Sequence, residues 1–323
     1  MTEIRVNGLR GVELAVFNLK DTADFYANAW GLSEVAASNG TAYLRAAGPE
    51  HHVLTIHERP RAGLVAINFS APSRMAVDGL HAKAKAMGCE IISAPANLAA
   101  IAGGGYGFSV KSPEGQVLNI SADVEQLKGG DFHDHSRPSK MSHAVLNVAD
   151  IDQQRAFFID VLGFRLTDST ARMDFVRCSS YHHSIALARA QGAGLNHMAY
   201  EVENFDGLMR GAGRMKKHGY EIGWGVGRHG PGNNLFSYFI EPNGFVTEYT
   251  AEVDYVDEAK HIVGTPDYWA KIMNGPDRFG LADPSPELRD AMAGKILEER
   301  NKACEEIISK TVSYTHLTLP TKA

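Results

Sequence analysis

An α+β fold of two tandem domains, each assembled from two units of strand, helix and several strands, is predicted by three features of the sequence. The chain has 323 residues, and domains of about 100 to 200 residues divide such a length in two. Its first half reappears in the second at a shift of roughly 130 residues. Within each repeat, short apolar runs bounded by Gly, Pro and Ser turns alternate with a helical pattern, so periods of 2 and 3.6 are mixed. The composition, 44% apolar and 22% charged, is that of a chain able to bury a core rather than a disordered or fibrous one.

The elements follow in chain order. Leu14 to Leu32, LAVFNLKDTADFYANAWGL, matches Leu146 to Phe164, LNVADIDQQRAFFIDVLGF, with Phe25 and Tyr26 over Phe157 and Phe158 and Gly31 over Gly163. Each reads as a strand, a turn and an amphipathic helix closed by glycine. YLRAAGPEHHVLTI from Tyr43 matches FVRCSSYHHSIAL from Phe175, two runs around a turn that predict a hairpin. GLVAINFSA at Gly63 matches GLNHMAYEV at Gly194, and FSVKSPEGQVLNISAD at Phe108 matches SYFIEPNGFVTEYTAE at Ser237. The run GGGYG, Gly103 to Gly107, lacks the Lys-Ser/Thr ending of a phosphate loop and reads as a turn.

The polar, Gly- and Pro-containing stretch from Lys128 to Lys140 predicts the joint between domains 1–134 and 135–280. Its His133 and His135 read as solvated linker residues. Beyond Val253 the repeat ends, and VGTPDYWAKIMNGPDRFG is expected to lie across the second domain. Ser285 followed by Pro286 marks a helix start within 281–310. Residues 311–323, TVSYTHLTLPTKA, differ in character and resemble the translation of an adapter or vector sequence, so they are left out of the fold.

The net charge of -6 and the scattering of basic residues give no surface for nucleic acid or acidic lipid. No signal-peptide core opens the sequence and no run of about 18 apolar residues suggests a membrane span, so a cytoplasmic location is expected. Cys89, Cys178 and Cys304 form no CxxC pair and point to a reducing compartment.

The duplication also sorts the fourteen histidines. His143 (SHAVLNV) and His197 (NHMAYEV) open equivalent strands, and Glu248 lies in the last strand of the second domain, where TEYTAE would send Glu248, Thr250 and Glu252 to one face. A carboxylate on a strand that otherwise reads as core calls for a cation. Two imidazoles and one carboxylate leave coordination positions open, an arrangement associated with Fe(II) oxygen chemistry. The first half carries Gly11, Ala66 and Asn119 at the equivalent positions, so the frame stands without these three residues.

At this point the sequence resembles the type I extradiol ring-cleaving dioxygenases (catechol 2,3-dioxygenase and 2,3-dihydroxybiphenyl dioxygenase-like) of the vicinal oxygen chelate superfamily, which has the glyoxalase fold of paired βαβββ units. The resemblance covers residues 8 to about 280 and is most specific over GRHGPGNNLFSYFIEPNGFVTEYTAE, Gly227 to Glu252. It implies Fe(II) at His143, His197 and Glu248, a catechol-type substrate with dioxygen, and a homo-oligomer. It further implies that His229 is the acid/base histidine, donating a proton where oxygen charge develops, that Tyr238 holds a substrate oxygen, and that His183 lines the pocket.

The residues support these roles unequally. His229 sits in a glycine-rich loop with no packing duty and matches Ala100, and Tyr238 matches Ser109. His183 belongs to a His-His pair that the first half repeats as His51 and His52, so a structural role stays open; His182 is expected to turn the other way. Mn(II) accepts the same donors as Fe(II), and the sequence leaves the choice open. Rival readings are a glyoxalase, an epimerase or a 2-oxo-acid dioxygenase on the same frame, or a non-catalytic binding or resistance protein.

Overall fold

A computed structural model describes residues 3–129, 134–273, 275–281 and 283–316, with side chains up to residue 308. Each half forms an eight-stranded mixed sheet. The first contains β1 (Gly8–Val16), β2 (Ser33–Ser38), β3 (Thr41–Arg45), β4 (Leu54–Glu58), β5 (Gly63–Ser70), β6 (Ile91–Asn97), β7 (Tyr106–Lys111) and β8 (Val117–Ala122), in the order β2-β3-β4-β1-β5-β8-β7-β6. The second contains β9 (Lys140–Val148), β10 (Arg165–Ser169), β11 (Met173–Arg177), β12 (Ile185–Arg189), β13 (Gly194–Glu201), β14 (Trp224–Arg228), β15 (Leu235–Ile240) and β16 (Val246–Ala251), in the same order shifted by eight. The predicted α+β class and internal repeat are thus both present.

The register repeats too. Asn68 pairs with Gly11 across β5–β1 and with Asn119 across β5–β8. Ala199 pairs with His143 across β13–β9 and with Glu248 across β13–β16. Gly11 and Asn119 therefore occupy the places of His143 and Glu248.

Asn18 and Asp150 cap the first helix of each half, α1 (Leu19–Asp24) and α3 (Ile151–Ala156), by accepting from the backbone N–H three residues on; α2 (Arg74–Ala86) is the second helix of the first half. Both helices then widen into π-helical turns, Phe25–Trp30 and Phe157–Val161, a departure from the plain amphipathic helix expected. The buried residues explain it. Phe25, Tyr26, Ala29 and Trp30, like Phe157, Phe158, Val161 and Leu162, recur at i, i+1, i+4 and i+5, a spacing that a turn wider than 3.6 residues brings to one face. Gly31 then closes the first turn at φ 96°, as a left-handed cap demands.

Trp30 also locks the halves together. Its ring stacks on Tyr249 at 3.8 Å, and its carbonyl accepts from Tyr249 Oη (2.5 Å) and Arg214 Nη2 (2.9 Å). Arg214 lies on α4 (Phe205–Lys217), and its Nε donates to the Ala29 carbonyl at 2.9 Å. One continuous apolar core includes residues from Val6 to Ala251.

Glu241, in the turn between β15 and β16, is 1% exposed and accepts the backbone N–H groups of Asn243 and Phe245. Burial pushes its carboxyl up to about 7, outweighing those hydrogen bonds and the charge of Arg300. The folded protein thus holds a proton that the unfolded chain releases near 4.5. The associated stability is complete below that value and is lost as pH rises through 7, by about 3 kcal/mol in total at 1.36 kcal/mol per pKa unit. Glu241→Gln is expected to flatten this slope in denaturant midpoints taken between about pH 4.5 and 8; an unchanged slope would assign the pH dependence elsewhere.

Several sequence expectations are modified. Strand β16 ends at Ala251, and Glu252, at φ 59°, turns away to Arg228, so it does not share the face of Glu248 and Thr250. The predicted terminal helix is two, α6 (Pro286–Met292) and α7 (Lys295–His316), parted by Gly294 at φ 77°. The backbone of α7 carries the first residues of the 311–323 segment, whereas 317–323 lie outside the described residues. His133 also lies outside them; His135 is an exposed partner of Glu203. Of the GGGYG run, Gly103, Gly104 and Gly105 turn the chain at positive φ, and Tyr106 and Gly107 open β7. All three cysteines are free. Among the described residues, no helix is long and apolar enough to cross a membrane.

Candidate metal centre

Three adjacent strands, β9, β13 and β16, bring His143, His197 and Glu248 onto one face, where each offers a ligand atom within 4.8 Å of the others. Nε2 of His143 and Nε2 of His197 both lie 3.2 Å from Glu248 Oε2. The three residues are 2%, 6% and 0% exposed.

Hydrogen-bond polarity determines what these atoms are. The Met292 carbonyl, at the end of α6, accepts from Asn147 Nδ2 at 2.7 Å; Asn147 Oδ1 therefore faces Asn196 Nδ2 at 2.8 Å, which leaves Asn196 Oδ1 to accept from His197 Nδ1–H at 2.8 Å. With the proton on Nδ1 and the imidazole kept neutral by burial, His197 Nε2 carries a lone pair. Burial alone would raise the Glu248 carboxyl, but its neighbours, His143 foremost, outweigh it and hold it well below the usual range. A nitrogen lone pair thus faces an ionised oxygen, and both His197 Nε2 and Glu248 Oε2 lack a hydrogen-bond partner. A cation relieves that repulsion and satisfies both atoms. The residues present fit a divalent metal with borderline nitrogen and hard oxygen donors.

Asn147 and Asn196 escaped the sequence reading. The usable signal was two asparagines on strands that otherwise read as core, matched in the first half by Ala15 and Val65. Asn196 sits at the irregularity of the β9–β13 pairing, between Leu195 and His197. Asn196→Val, which restores the first-half residue, is expected to weaken metal binding by about 10- to 100-fold, the usual cost of losing a partner that orients a ligand. Competition with a chelator of known affinity reads this directly, and unchanged affinity would show that the chain does not orient His197. Asn234, also missed, is 1% exposed and donates to Thr250 Oγ1 at 2.8 Å, close to Glu248 Oε1 at 3.5 Å.

The three other predicted residues gather beside this triad. Tyr238 stands opposite Glu248 across β15–β16 and packs its ring edge-on to His197 at 5.1 Å. Its Oη lies 2.9 Å from His229 Nε2. Because the Pro276 carbonyl takes the proton of His229 Nδ1 at 3.1 Å, Nε2 is the acceptor and Tyr238 the donor. His229 is stacked on Phe236 at 4.0 Å and touches Trp224. Desolvation in this setting lowers its pKa to about 4, and burial, with the Glu248 charge next, raises the Tyr238 phenol well above 10. The resting His229 is therefore a neutral acceptor at Nε2 and can donate from that atom only after taking up a proton.

His183 is 3% exposed, with its ring 4.3 Å from that of His143. Burial keeps it neutral. His182 turns aside, its ring at 88° to His183. A cavity of ≈ 640 Å³ opens beyond His182, with Gly232, Tyr255 and Trp269 in its wall; none of the three ligands lines it. In the first half, the space matching the metal centre is a cavity of ≈ 220 Å³ whose wall includes Glu13, Asn68 and Asn119; there Glu13 accepts from Asn119 Nδ2 at 3.0 Å and faces His57 Nε2 at 3.1 Å.

Comparison with known proteins agrees with this architecture. Residues 140–249 match the model of the glyoxalase/bleomycin resistance protein/dioxygenase superfamily. A solved Mn(II)-bound glyoxalase from Novosphingobium aromaticivorans is 40% identical, with a TM-score of 0.81, over 88% of this chain and 94% of that one. The chain belongs to this superfamily. Other superfamily relatives include metapyrocatechase 2 of Cupriavidus necator, 32% identical over 165 residues, which are 50% of this chain and 46% of that protein. The metapyrocatechase of Pseudomonas sp. (strain CF600) is 24% identical over 76% of this chain and 85% of its own length. The alignment thus spans about half the length of the first of these curated superfamily relatives.

Proposed function

We propose that the protein cleaves a catechol-type aromatic diol with dioxygen, opening the ring beside the two hydroxyls (extradiol cleavage), at one Fe(II) held by His143, His197 and Glu248. The observation that carries this reading is the convergence of two imidazoles and one carboxylate next to a Tyr238–His229 hydrogen bond. Such a site neutralises one ligand charge and leaves open positions for a bidentate diol and for oxygen. The metapyrocatechase relatives support the same chemistry. When bound, the metal supplies Lewis acidity toward the diol oxygens and a route for electrons from ring to dioxygen.

The remaining work falls to the chain. His229 Nε2, an acceptor at rest, is placed to take a phenolic proton, and the resulting imidazolium returns it where oxygen charge develops later in the reaction. Tyr238 gives up its bond to His229 and turns its hydroxyl to a substrate oxygen. His183, with its ring 4.3 Å from that of His143, would line the same space. Mn(II) accepts the same kinds of donor as Fe(II), and the glyoxalase neighbour is described as Mn(II)-bound.

A second reading, isomerisation of a hemithioacetal, is favoured by that neighbour's description as a glyoxalase. A spectrophotometric panel separates the two: metal-loaded protein is expected to turn catechols yellow and to leave the methylglyoxal–glutathione adduct unchanged. Turnover of the adduct alone would replace the dioxygenase reading with the glyoxalase one.

A further inference from the structure

His182 and Asp168 are not part of the predicted site, yet both are buried within one residue or one side chain of it. His182 Nε2 lies 2.7 Å from Asp168 Oδ2, and its Nδ1 lies 2.9 Å from His183 Nδ1. The second carboxylate oxygen, Asp168 Oδ1, accepts the backbone N–H of Gly264 at 2.7 Å. Gly264 lies in the segment before α5 (Pro266–Ile272), and a Cβ there would meet Asp168 Oδ1 at 2.5 Å and Trp269 Nε1 at 2.4 Å. The absence of a side chain is what lets this segment close over the carboxylate.

We infer that Asp168 and His182 are positioning residues that fix the tautomer of His183. With His182 a neutral imidazole, the polarity of the chain leaves one solution. Asp168 can only accept, so His182 carries its proton on Nε2; its Nδ1 then can only accept, so His183 carries its proton on Nδ1. His183 Nε2 is left with a lone pair, and the ring can accept a hydrogen bond in the pocket but cannot donate one.

The first half supplies a control. His51 and His52 repeat the Nδ1 to Nδ1 contact at 3.0 Å, so that contact belongs to the turn itself. The β2–β3 and β10–β11 registers place Ala36 opposite Tyr43 where Asp168 stands opposite Phe175. The orienting carboxylate is thus confined to the half that carries the metal centre. This inference rests on the proposed function only for what His183 does, since the tautomers follow from hydrogen bonds alone.

Nitrogen-15 NMR of histidine-labelled, full-length protein loaded with diamagnetic Zn(II) tests it without any turnover. His182 is expected to be protonated at Nε2 and His183 at Nδ1. In Asp168→Asn, Oδ1 must still satisfy the Gly264 N–H, so the amide donates to His182 and the pattern inverts, with His183 protonated at Nε2. With catechols, the same variant is expected to lose about 10- to 100-fold in kcat at unchanged metal content and KM within about twofold. His183 protonated at Nε2 in the wild type, which needs no variant to fold, would overturn the inference, as would identical tautomers in the folded variant. Absence of catechol turnover in the wild type would count against the proposed function and leave the tautomer result standing.

Discussion

Glu248→Ala is expected to abolish metal binding and turnover together. The carboxylate is fully buried and is the one anionic donor in the triad, so its loss leaves two neutral imidazoles facing a divalent ion across a cavity. The clearest readout is thermal. A metal that binds only the folded chain stabilises it by mass action, by about 4 kcal/mol at a thousand times its Kd, so the wild type should melt higher as Fe(II) or Mn(II) is added. The variant should melt at one temperature whatever the metal concentration. Stoichiometric metal in Glu248→Ala would mean that the ion sits elsewhere.

His229→Ala is expected to keep the metal and lose the chemistry. The imidazole reaches Tyr238 and the Pro276 carbonyl but offers no atom to the ligand triad. Metal content should stay near normal while kcat falls by about 10² to 10⁴, the usual contribution of a positioned acid/base group. The Tyr238 hydroxyl would lose its acceptor, so a rise in KM of lesser size is also expected. Turnover equal to the wild type would dismiss the acid/base role and leave His229 as packing against Phe236 and Trp224.

Much of this was legible in the sequence because the chain carries its own control. Repetition of strand, helix and turn signals fixed the fold class, and Gly11, Ala66 and Asn119 marked His143, His197 and Glu248 as additions that the fold does not need. What stayed hidden has three physical sources. Helix width depends on which residues are buried, and the adjacent pair Phe25 and Tyr26 shows as π-helical only once its packing is known. Strand ends depend on single dihedrals, which is why Glu252 was assigned to a face it leaves. Hydrogen-bond polarity joins residues distant in sequence, so the chain from Met292 through Asn147 and Asn196 to His197, and that from Gly264 through Asp168 and His182 to His183, could not be read from local pattern.

The most direct test is oxygen uptake by anaerobically prepared, Fe(II)-loaded protein given a panel of catechols, followed together with the visible absorbance of ring-opened product. The proposed function predicts one dioxygen consumed per yellow product formed, with both signals lost in His143→Ala. Catechol consumed without oxygen uptake, or no reaction with iron demonstrably bound at His143, His197 and Glu248, would contradict it.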